Sequence, residues 1–422
     1  MAVTPTPATG ACGRIDVAAV KRDFPLLHVH VHGRPITYLD SAATSQKPQA
    51  VLDRLDWYYR NINANVHRGV YSIAEEATNQ LETARDRVRS FIGAKSTAEV
   101  VFTKNATESL NLVIQGWGRA NLSPGDAVVL THLEHHANIV PWQILATERE
   151  LELRWVPLTA DGHLDTTHLD QLLDGAKAFS FTAMSNVLGT VTPVRELADA
   201  ARAAGAISIV DACQYVPHLP TDVQAMGADF IAFSGHKMCG PTGIGVLWGR
   251  EELLDAMPPF LGGGEMIRDV RLDGFTPNDL PWKFEAGTPP IAEAIGLGAA
   301  IEYLETLGMV AVRQHEIDLV GHAMQVLTER FGERIQIHGP VNPQDRGGVL
   351  SFAFDNLHPH DISQVLDQHG VCVRAGHHCA KPLMRVLGLQ ATARASFYIY
   401  NDEADVEALA AALESAADFF ML

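Results

Sequence analysis

The sequence has no uninterrupted apolar run near the roughly 18 residues that a membrane-spanning helix needs, so no span is expected. Its start, MAVTPTPATGACGR, lacks a basic n-region and an apolar h-region, and no secretory signal is expected. Met1 to about Arg14 reads as a disordered lead-in with Pro, Thr and Ala. Cysteine is scarce: Cys12, Cys213, Cys239, Cys372 and Cys379 form an odd set of 5 with no CxxC spacing. That argues against a disulfide framework and gives no signal for structural zinc. Positive charge is short too, with 32 Lys+Arg against 50 Asp+Glu and a net charge of −18. A nucleic-acid binder needs a cationic face to displace counterions, so DNA or RNA is not expected as the main partner. A local basic pocket for a small anion stays open. Internal repeats are missing, as are low-complexity tracts past the lead-in. What is left is a chain of 422 residues, 47% hydrophobic and 19% charged. It is long enough for a large core and about two domains, and is expected in the cytoplasm with free thiols.

What is present is alternation. EVVFT (99–103), DAVVLT (126–131), LELRWVPL (151–158), AFSFTAMSN (178–186), AISIVDAC (206–213), DFIAFSG (229–235) and IGVLWG (244–249) are short apolar runs, most of them separated by helical patterns. Strands apolar on both faces between helices predict an α/β domain with a mostly parallel, helix-covered sheet, its ligand at the strands' carboxyl ends. After about residue 290 the pattern changes. Long helices over Ala292–Leu307 and Val310–Phe331 precede strands RIQIHG and GGVLSFAF, a helix His360–His369, the strand VCVRAG, RASFYIY and a helix from Asp402, which reads as a smaller α+β domain.

The predicted strand ends carry chemistry. Lys237 lies in SGHKMCGPTGIG, between a strand and a glycine-rich turn. A lone lysine on a loop is ordinarily a surface residue. Ser234 and His236 beside it offer donors for an anion, and a lysine so placed can form a Schiff base with an aldehyde cofactor. Asp211 ends an apolar strand; it either caps the next turn or pairs with the pyridine nitrogen of pyridoxal phosphate. Thr107 opens a helix after a strand, where free N–H groups favour a phosphate. HLEHH (132–136) places His132, Glu134, His135 and His136 together; metal is one reading, a histidine stacked on a planar ring the better one. In RAGHHCAKPLM (374–384), Cys379 can be a metal ligand, a small hydrophobe or a nucleophile.

Beyond these residues the chain resembles a known family. HRG (67–69), NATE (105–108), EHHANIVPWQ (134–143), SNVLGT (185–190), VDACQ (210–214), FSGHKMCGPTGIGVL (233–247), FEAGTPP (284–290), RAGHHCAKPLM (374–384) and RASFYIYN (394–401) resemble, in order, the SUF-type or group II cysteine desulfurases. These are class V aminotransferase relatives of pyridoxal-phosphate fold type I. The resemblance implies an N-terminal segment (1–30) packing on the small domain, a large cofactor domain (31–290) with a mostly parallel seven-stranded sheet, and a small domain (291–422) carrying the cysteine. It implies Lys237 as the Schiff-base lysine, Asp211 on the pyridine nitrogen, Gln214 on the phenolic oxygen and His135 stacked on the ring. Thr107, Ser234 and His236 would hold the phosphate, joined by Thr288 from the partner subunit of a homodimer. Asn186 and Arg394 would fix the substrate carboxylate, with Arg374 as runner-up or as a prop for the cysteine segment. Ala106 departs from the family, where many relatives carry threonine.

The activity implied is conversion of L-cysteine to L-alanine with a persulfide on Cys379, for iron–sulfur cluster assembly. Lys237 is the expected base, and a helix start after Cys379 or the adjacent His377 and His378 the expected thiolate stabilisers. One of those histidines is expected to be a structural donor. The short loop is expected to shield the persulfide until an acceptor protein reaches in. NLHPHD (356–361) resembles the branch with a zinc-bearing carrier, in which His360 meets the partner's zinc; the plainer reading is that His360 caps its helix. Selenocysteine lyase, cysteine-sulfinate desulfinase and aminotransferase activities on the same fold, or a non-enzymatic metal-binding protein, are the alternatives.

Overall fold

The computed structural model describes residues 14–421. The expected lead-in, with Cys12, lies outside the described residues except for Arg14. A seven-stranded sheet organises the first part. Its strands are β1 (Val100–Thr103), β2 (Ala127–Thr131), β3 (Glu152–Val156), β4 (Ala176–Thr182), β5 (Ile207–Asp211), β6 (Phe230–Ser234) and β7 (Gly245–Gly249). Their spatial order is β1-β7-β6-β5-β4-β2-β3. Only β7 runs antiparallel to its neighbours. β1, β2, β6 and β7 are buried along their whole length, which is why their sequence is apolar without alternation. At the edge, β3 carries Glu152 and Arg154 and is mostly unburied.

The helix Ile291–Leu307 is apolar all round because it packs against the helices Gln49–Asn61 and Ser72–Phe91 and is buried along nearly every residue. No single helix among the described residues is long and apolar enough to cross a membrane.

The helix Met309–Phe331 leads into a second, antiparallel sheet. Its strands β8 (Ile335–His338), β9 (Val349–Phe354), β10 (Arg374–Gly376) and β11 (Thr392–Ser396) lie in the order β8-β9-β11-β10. Leu319, Leu327, Phe352, Leu366, Leu409 and Leu413 belong to its core.

VCVRAG, expected as one strand, is divided. Val371–Cys372 pairs in parallel with Thr37–Tyr38, while β10 pairs with β11. The division has a purpose in the packing: it draws the chain around Tyr38 alongside β11, where Asp40 bridges to Ser396. The N-terminal helix Val17–Arg22 is anchored by Lys21, whose Nζ is 2.7 Å from Asp402 and 3.0 Å from Asp405 at the start of the helix Glu403–Phe419. Phe24 buries its ring edge-on against Tyr303 and Tyr400, a contact worth about 2–3 kcal/mol in apolar burial.

Candidate active site

The parallel strands β4, β5 and β6 end side by side, and their last residues Thr182, Asp211 and Ser234 open into one cavity of about 270 Å³. Lys237, His236, His135, Thr107, Gln214, Asn186, Arg374, Arg394, His378 and Cys379 line the same cavity. All but two of the expected site residues therefore converge; Thr288 and His360 stand elsewhere.

At the sheet end, Asp211 is only 4% exposed, and its Oδ1 accepts the Cys213 N–H at 3.0 Å. It forms no ion pair with any described residue, and burial raises its carboxyl above the usual range, opposed by the Cys213 N–H and Lys237. A buried acid without a bonded cation suits a protonated pyridine nitrogen. Gln214 donates to the Ala42 carbonyl at 2.7 Å and leaves Oε1 buried without a partner, so part of its amide is free for a group in the cavity.

Lys237 ends the short turn Gly235–Lys237 that follows β6. His236 beside it contacts the Thr44 hydroxyl at 3.2 Å; burial, then Lys237 and Lys47, push its imidazole down to about 4. The helix Ala106–Val113 starts at the same rim. Its Ala106 N–H donates to Ser234 Oγ and its Glu108 N–H to Asn105 Oδ1, each at 2.9 Å. The exposed Thr107 lies between them and lines the cavity. Gly245 is needed here: a Cβ on it would stand 2.5 Å from the Asn105 backbone, so β7 could not lie against the helix start. These groups fit pyridoxal phosphate: acid and amide for the ring, a lysine for the aldehyde, and a helix start with hydroxyls for the phosphate.

The HLEHH segment separates into distinct environments. His132 stacks on Trp155 with centroids 6.1 Å apart. Glu134 is buried; it accepts from the Thr131 hydroxyl at 2.5 Å, the Thr182 N–H at 2.9 Å and Asn138 Nδ2 at 2.6 Å, and burial pushes its carboxyl up to about 8. His135 Nδ1 accepts the Ala137 N–H at 3.1 Å, which assigns the ring proton to Nε2; burial, then Lys237, push it down to about 3. The ring is thus neutral where a planar cofactor needs a stacking face. His136 turns away toward the cysteine loop. Among the described residues no group of three or more His, Cys, Asp and Glu is arranged to hold a metal.

The Cys379 loop is strapped at several points. The His136 N–H donates to the Cys379 carbonyl at 2.7 Å, and His136 Nε2 accepts the Lys381 N–H at 2.9 Å. On the other side, Asn186 Nδ2 donates to the His378 carbonyl at 2.6 Å, and His378 Nε2 meets the Thr392 hydroxyl at 2.8 Å. Burial, then Arg394, push His378 down to about 3, so it is the structural histidine of the pair, while His377 is exposed.

Two expectations change. The following helix, Lys381–Val386, has only 6 residues and its Lys381 N–H is taken by His136, so it is a poor source of thiolate stabilisation. Arg374 and Arg394 are cations that share the cavity lining with Cys379. And Cys379 is exposed rather than shielded by its own chain, on a loop where His378 and Cys379 adopt left-handed φ values of 51° and 56°.

Arg394 is buried; one Nη donates to the Asn186 carbonyl at 2.9 Å and the other to Asp40 at 3.1 Å. Asp40 also holds Arg374 at 2.9 Å. Sequence reading missed Asp40, together with Thr44 and Lys47, which both donate to the His236 carbonyl. The signal was YLDSAATSQK (38–47), an acid and hydroxyls after an apolar pair, but the strand there is only two residues long and shows no period. In FEAGTPP, Glu285 is structural: it is buried against Arg85 at 2.6 and 2.9 Å and accepts the Phe102 N–H at 2.7 Å. Thr288, three residues on, is exposed. His360 is exposed as well, and it is His358, not His360, whose ring accepts an N–H at the start of the helix Pro359–Gln368, that of His360 at 3.3 Å.

Comparison with known proteins agrees with this geometry. The profile of the class-V aminotransferases matches residues 37–409. A probable cysteine desulfurase of Streptomyces coelicolor is 51% identical over 414 residues, covering 97% of this chain and 99% of the relative. Among solved structures, the apo cysteine desulfurase of Thermococcus onnurineus superposes with a TM-score of 0.90 at 42% identity, covering 95% of this chain and 98% of that one. The cysteine desulfurase CsdA of Escherichia coli, in its S-sulfonic acid form, gives 0.87 at 38% identity, covering 96% and 98%. The chain therefore belongs to the class-V aminotransferase family, whose cysteine desulfurases use pyridoxal phosphate, and it falls among those desulfurases.

Proposed function

We propose that the protein converts L-cysteine to L-alanine, takes the sulfur as a persulfide on Cys379 and passes it on for iron–sulfur cluster assembly of the SUF type. The observation that carries this reading is that Lys237, Asp211 and Cys379 line one cavity. In it, Lys237 would hold the aldehyde carbon, Asp211 the pyridine nitrogen, Gln214 the phenolic oxygen, His135 the ring face, and Thr107, Ser234 and His236 the phosphate. The bound cofactor supplies an electron sink for a carbanion next to the amino group.

The chain's own groups do the rest. Arg394 and Asn186 orient the substrate carboxylate. Lys237 takes the α-proton. The Cys379 thiolate then gives an electron pair to the substrate sulfur. The new S–S bond forms as the Cβ–S bond breaks, the pair left on Cβ takes up a proton, and Lys237 returns its proton to Cα to give alanine. Charge on Arg374 and Arg394 favours the attacking anion.

The exposed Thr288, placed away from its own chain's cavity, fits a homodimer in which it completes the partner's phosphate site. Exposure of Cys379 fits direct hand-over to an acceptor protein, and the exposed His360 fits a zinc-bearing carrier. A cytoplasmic location agrees with the unpaired cysteines.

The test is quantitation of alanine and protein-bound persulfide after adding L-cysteine to the cofactor-loaded enzyme, with and without a zinc-bearing carrier. Equal amounts of both are expected in a single turnover, and Cys379→Ala is expected to abolish them. Full alanine production by Cys379→Ala would refute the reading.

A further inference from the structure

The peptide that carries Lys237 into the cavity begins at the His236 carbonyl, and that oxygen is crowded with donors from a distant segment of the chain. The Ser45 N–H donates to it at 3.0 Å, the Ser45 hydroxyl at 3.1 Å and the Lys47 ammonium at 3.1 Å, with the Thr44 hydroxyl 3.0 Å away. Ser45 Oγ also accepts the Cys239 N–H at 2.8 Å, so its own proton is committed to the carbonyl. A carbonyl oxygen has two lone pairs, and Ser45 and Lys47 already saturate them. The Thr44 proton is left for its other neighbour, His236 Nδ1, at 3.2 Å. Lys47 enforces this twice over, by donating to the carbonyl and by donating to Thr44 Oγ1 at 3.4 Å, which fills that oxygen as an acceptor. Lys47 is half-buried, is also held by the Ser45 carbonyl and forms no ion pair with any described residue. Burial, opposed by Cys239, pushes it down to about 8, so near pH 7 it is still an ammonium.

The consequence falls on His236, which lines the cavity with Thr107 and Ser234. Burial, then Lys237 and Lys47, hold its imidazole near 4, so at neutral pH the ring carries one proton. With Nδ1 accepting from Thr44, that proton sits on Nε2, the nitrogen without a partner among the described residues. We propose that Lys47 is a positioning residue for the cofactor's phosphate: through the His236 carbonyl and the Thr44 hydroxyl it holds His236 as the tautomer that donates from Nε2. Without Lys47 the Thr44 proton turns to the carbonyl, Nδ1 takes the ring proton, and Nε2 has none to give a phosphate oxygen. The inference rests on the phosphate reading of Thr107, Ser234 and His236.

The experiment measures the Kd of the cofactor-free protein for pyridoxamine phosphate and for pyridoxamine, neither of which carries the aldehyde that reacts with Lys237. The ratio of the two isolates what the phosphate contributes. Lys47→Met is expected to lower that ratio about tenfold while moving the pyridoxamine Kd by no more than about twofold. His236→Gln supplies an amide N–H with no tautomer to set, and in that background Lys47→Met is expected to change the ratio by less than about twofold. A merely structural or purely charge-based role would cost the same in both backgrounds, and that result overturns the proposal. An unchanged ratio in Lys47→Met overturns it too, as does an equal loss for both ligands. Should Lys47→Met fail to fold, Thr44→Val breaks the same relay: its ratio should fall about tenfold, and no change overturns the proposal. A wild-type protein that binds both ligands equally refutes the phosphate reading itself; one that prefers the phosphate, with the ratio unmoved by Lys47→Met, refutes only the role of Lys47.

Discussion

Asp211 and Ser234 stand on the last residues of strands buried on both faces, with Lys237 one short turn beyond, whereas Cys379 stands on an exposed loop between a three-residue strand and a six-residue helix. The cofactor half of the cavity is placed by the sheet: shifting Asp211 means shifting β5 against β4 and β6. The cysteine half is placed by individual hydrogen bonds, most of them to backbone, from His136, Asn186 and Thr392. The proposed function gives the difference a chemical reason: a cofactor ring has to stay rigidly oriented through a reaction, while a thiol that carries sulfur would also have to meet an acceptor protein.

The comparison breaks first at Asp211. Asp211→Asn keeps the shape and the Cys213 N–H contact but removes the charge that, in the proposed function, balances a protonated ring nitrogen. Alanine formation is expected to fall on the order of 10²- to 10³-fold, with cofactor still bound by visible absorbance. Retention of more than half the activity would mean that the ring nitrogen is held by something other than Asp211.

On the loop side the matching change is His136→Ala. It removes the acceptor for the Lys381 N–H but leaves the His136 N–H on the Cys379 carbonyl. With one strap of several lost, kcat is expected to fall about ten- to a hundredfold with the absorbance spectrum unchanged. A spectrum that moves as much as the Asp211 variant's would show that the two halves are not independently built.

The two halves also differed in how far the sequence disclosed them. Asp211, Lys237 and Thr107 could be read because each follows a long apolar strand, and strand ends of a parallel sheet converge by topology. Asp40 could not, since the two-residue strand before it has no period and its partners Arg374 and Arg394 are more than three hundred residues away. The break in VCVRAG was hidden for a related reason: all of it is compatible with a strand, and only pairing with Thr37–Tyr38 divides it. The straps on the Cys379 loop were illegible because most of them engage backbone atoms, which carry no sequence signature. In HLEHH, the dispersal of His132, Glu134, His135 and His136 follows from a tight turn that no spacing rule for helices or strands describes.

Acid sharpens the contrast between buried site histidines and the exposed loop. Burial holds His135 and His378 near 3 and His236 near 4, against about 6.5 for each in an unfolded chain. Below about pH 6.5 the unfolded chain binds protons that the folded one refuses. Stability present above that pH is therefore lost as the pH falls toward 3–4. Urea unfolding of the cofactor-free protein between pH 7 and 4 is expected to show stability falling by up to about 1.4 kcal/mol per pH unit for each such histidine. His378→Asn should flatten the slope by one histidine's share.

The smallest effect separates the two histidines at the start of the helix Pro359–Gln368. His358 Nδ1 accepts the His360 N–H, so His358 is the capping side chain, and the two rings stack with centroids 5.3 Å apart. His358→Ala is expected to cost at most about 1 kcal/mol in urea unfolding, because a lost cap on an exposed helix start costs that order and the 3.3 Å contact is long. His360→Ala removes no cap and should leave stability within about 0.5 kcal/mol of the wild type. If His360 serves a zinc-bearing acceptor, the same variant lowers carrier-stimulated turnover while sparing the basal rate. A His360→Ala enzyme that loses stability as His358→Ala does, and keeps full stimulation by the carrier, would return His360 to a purely structural part.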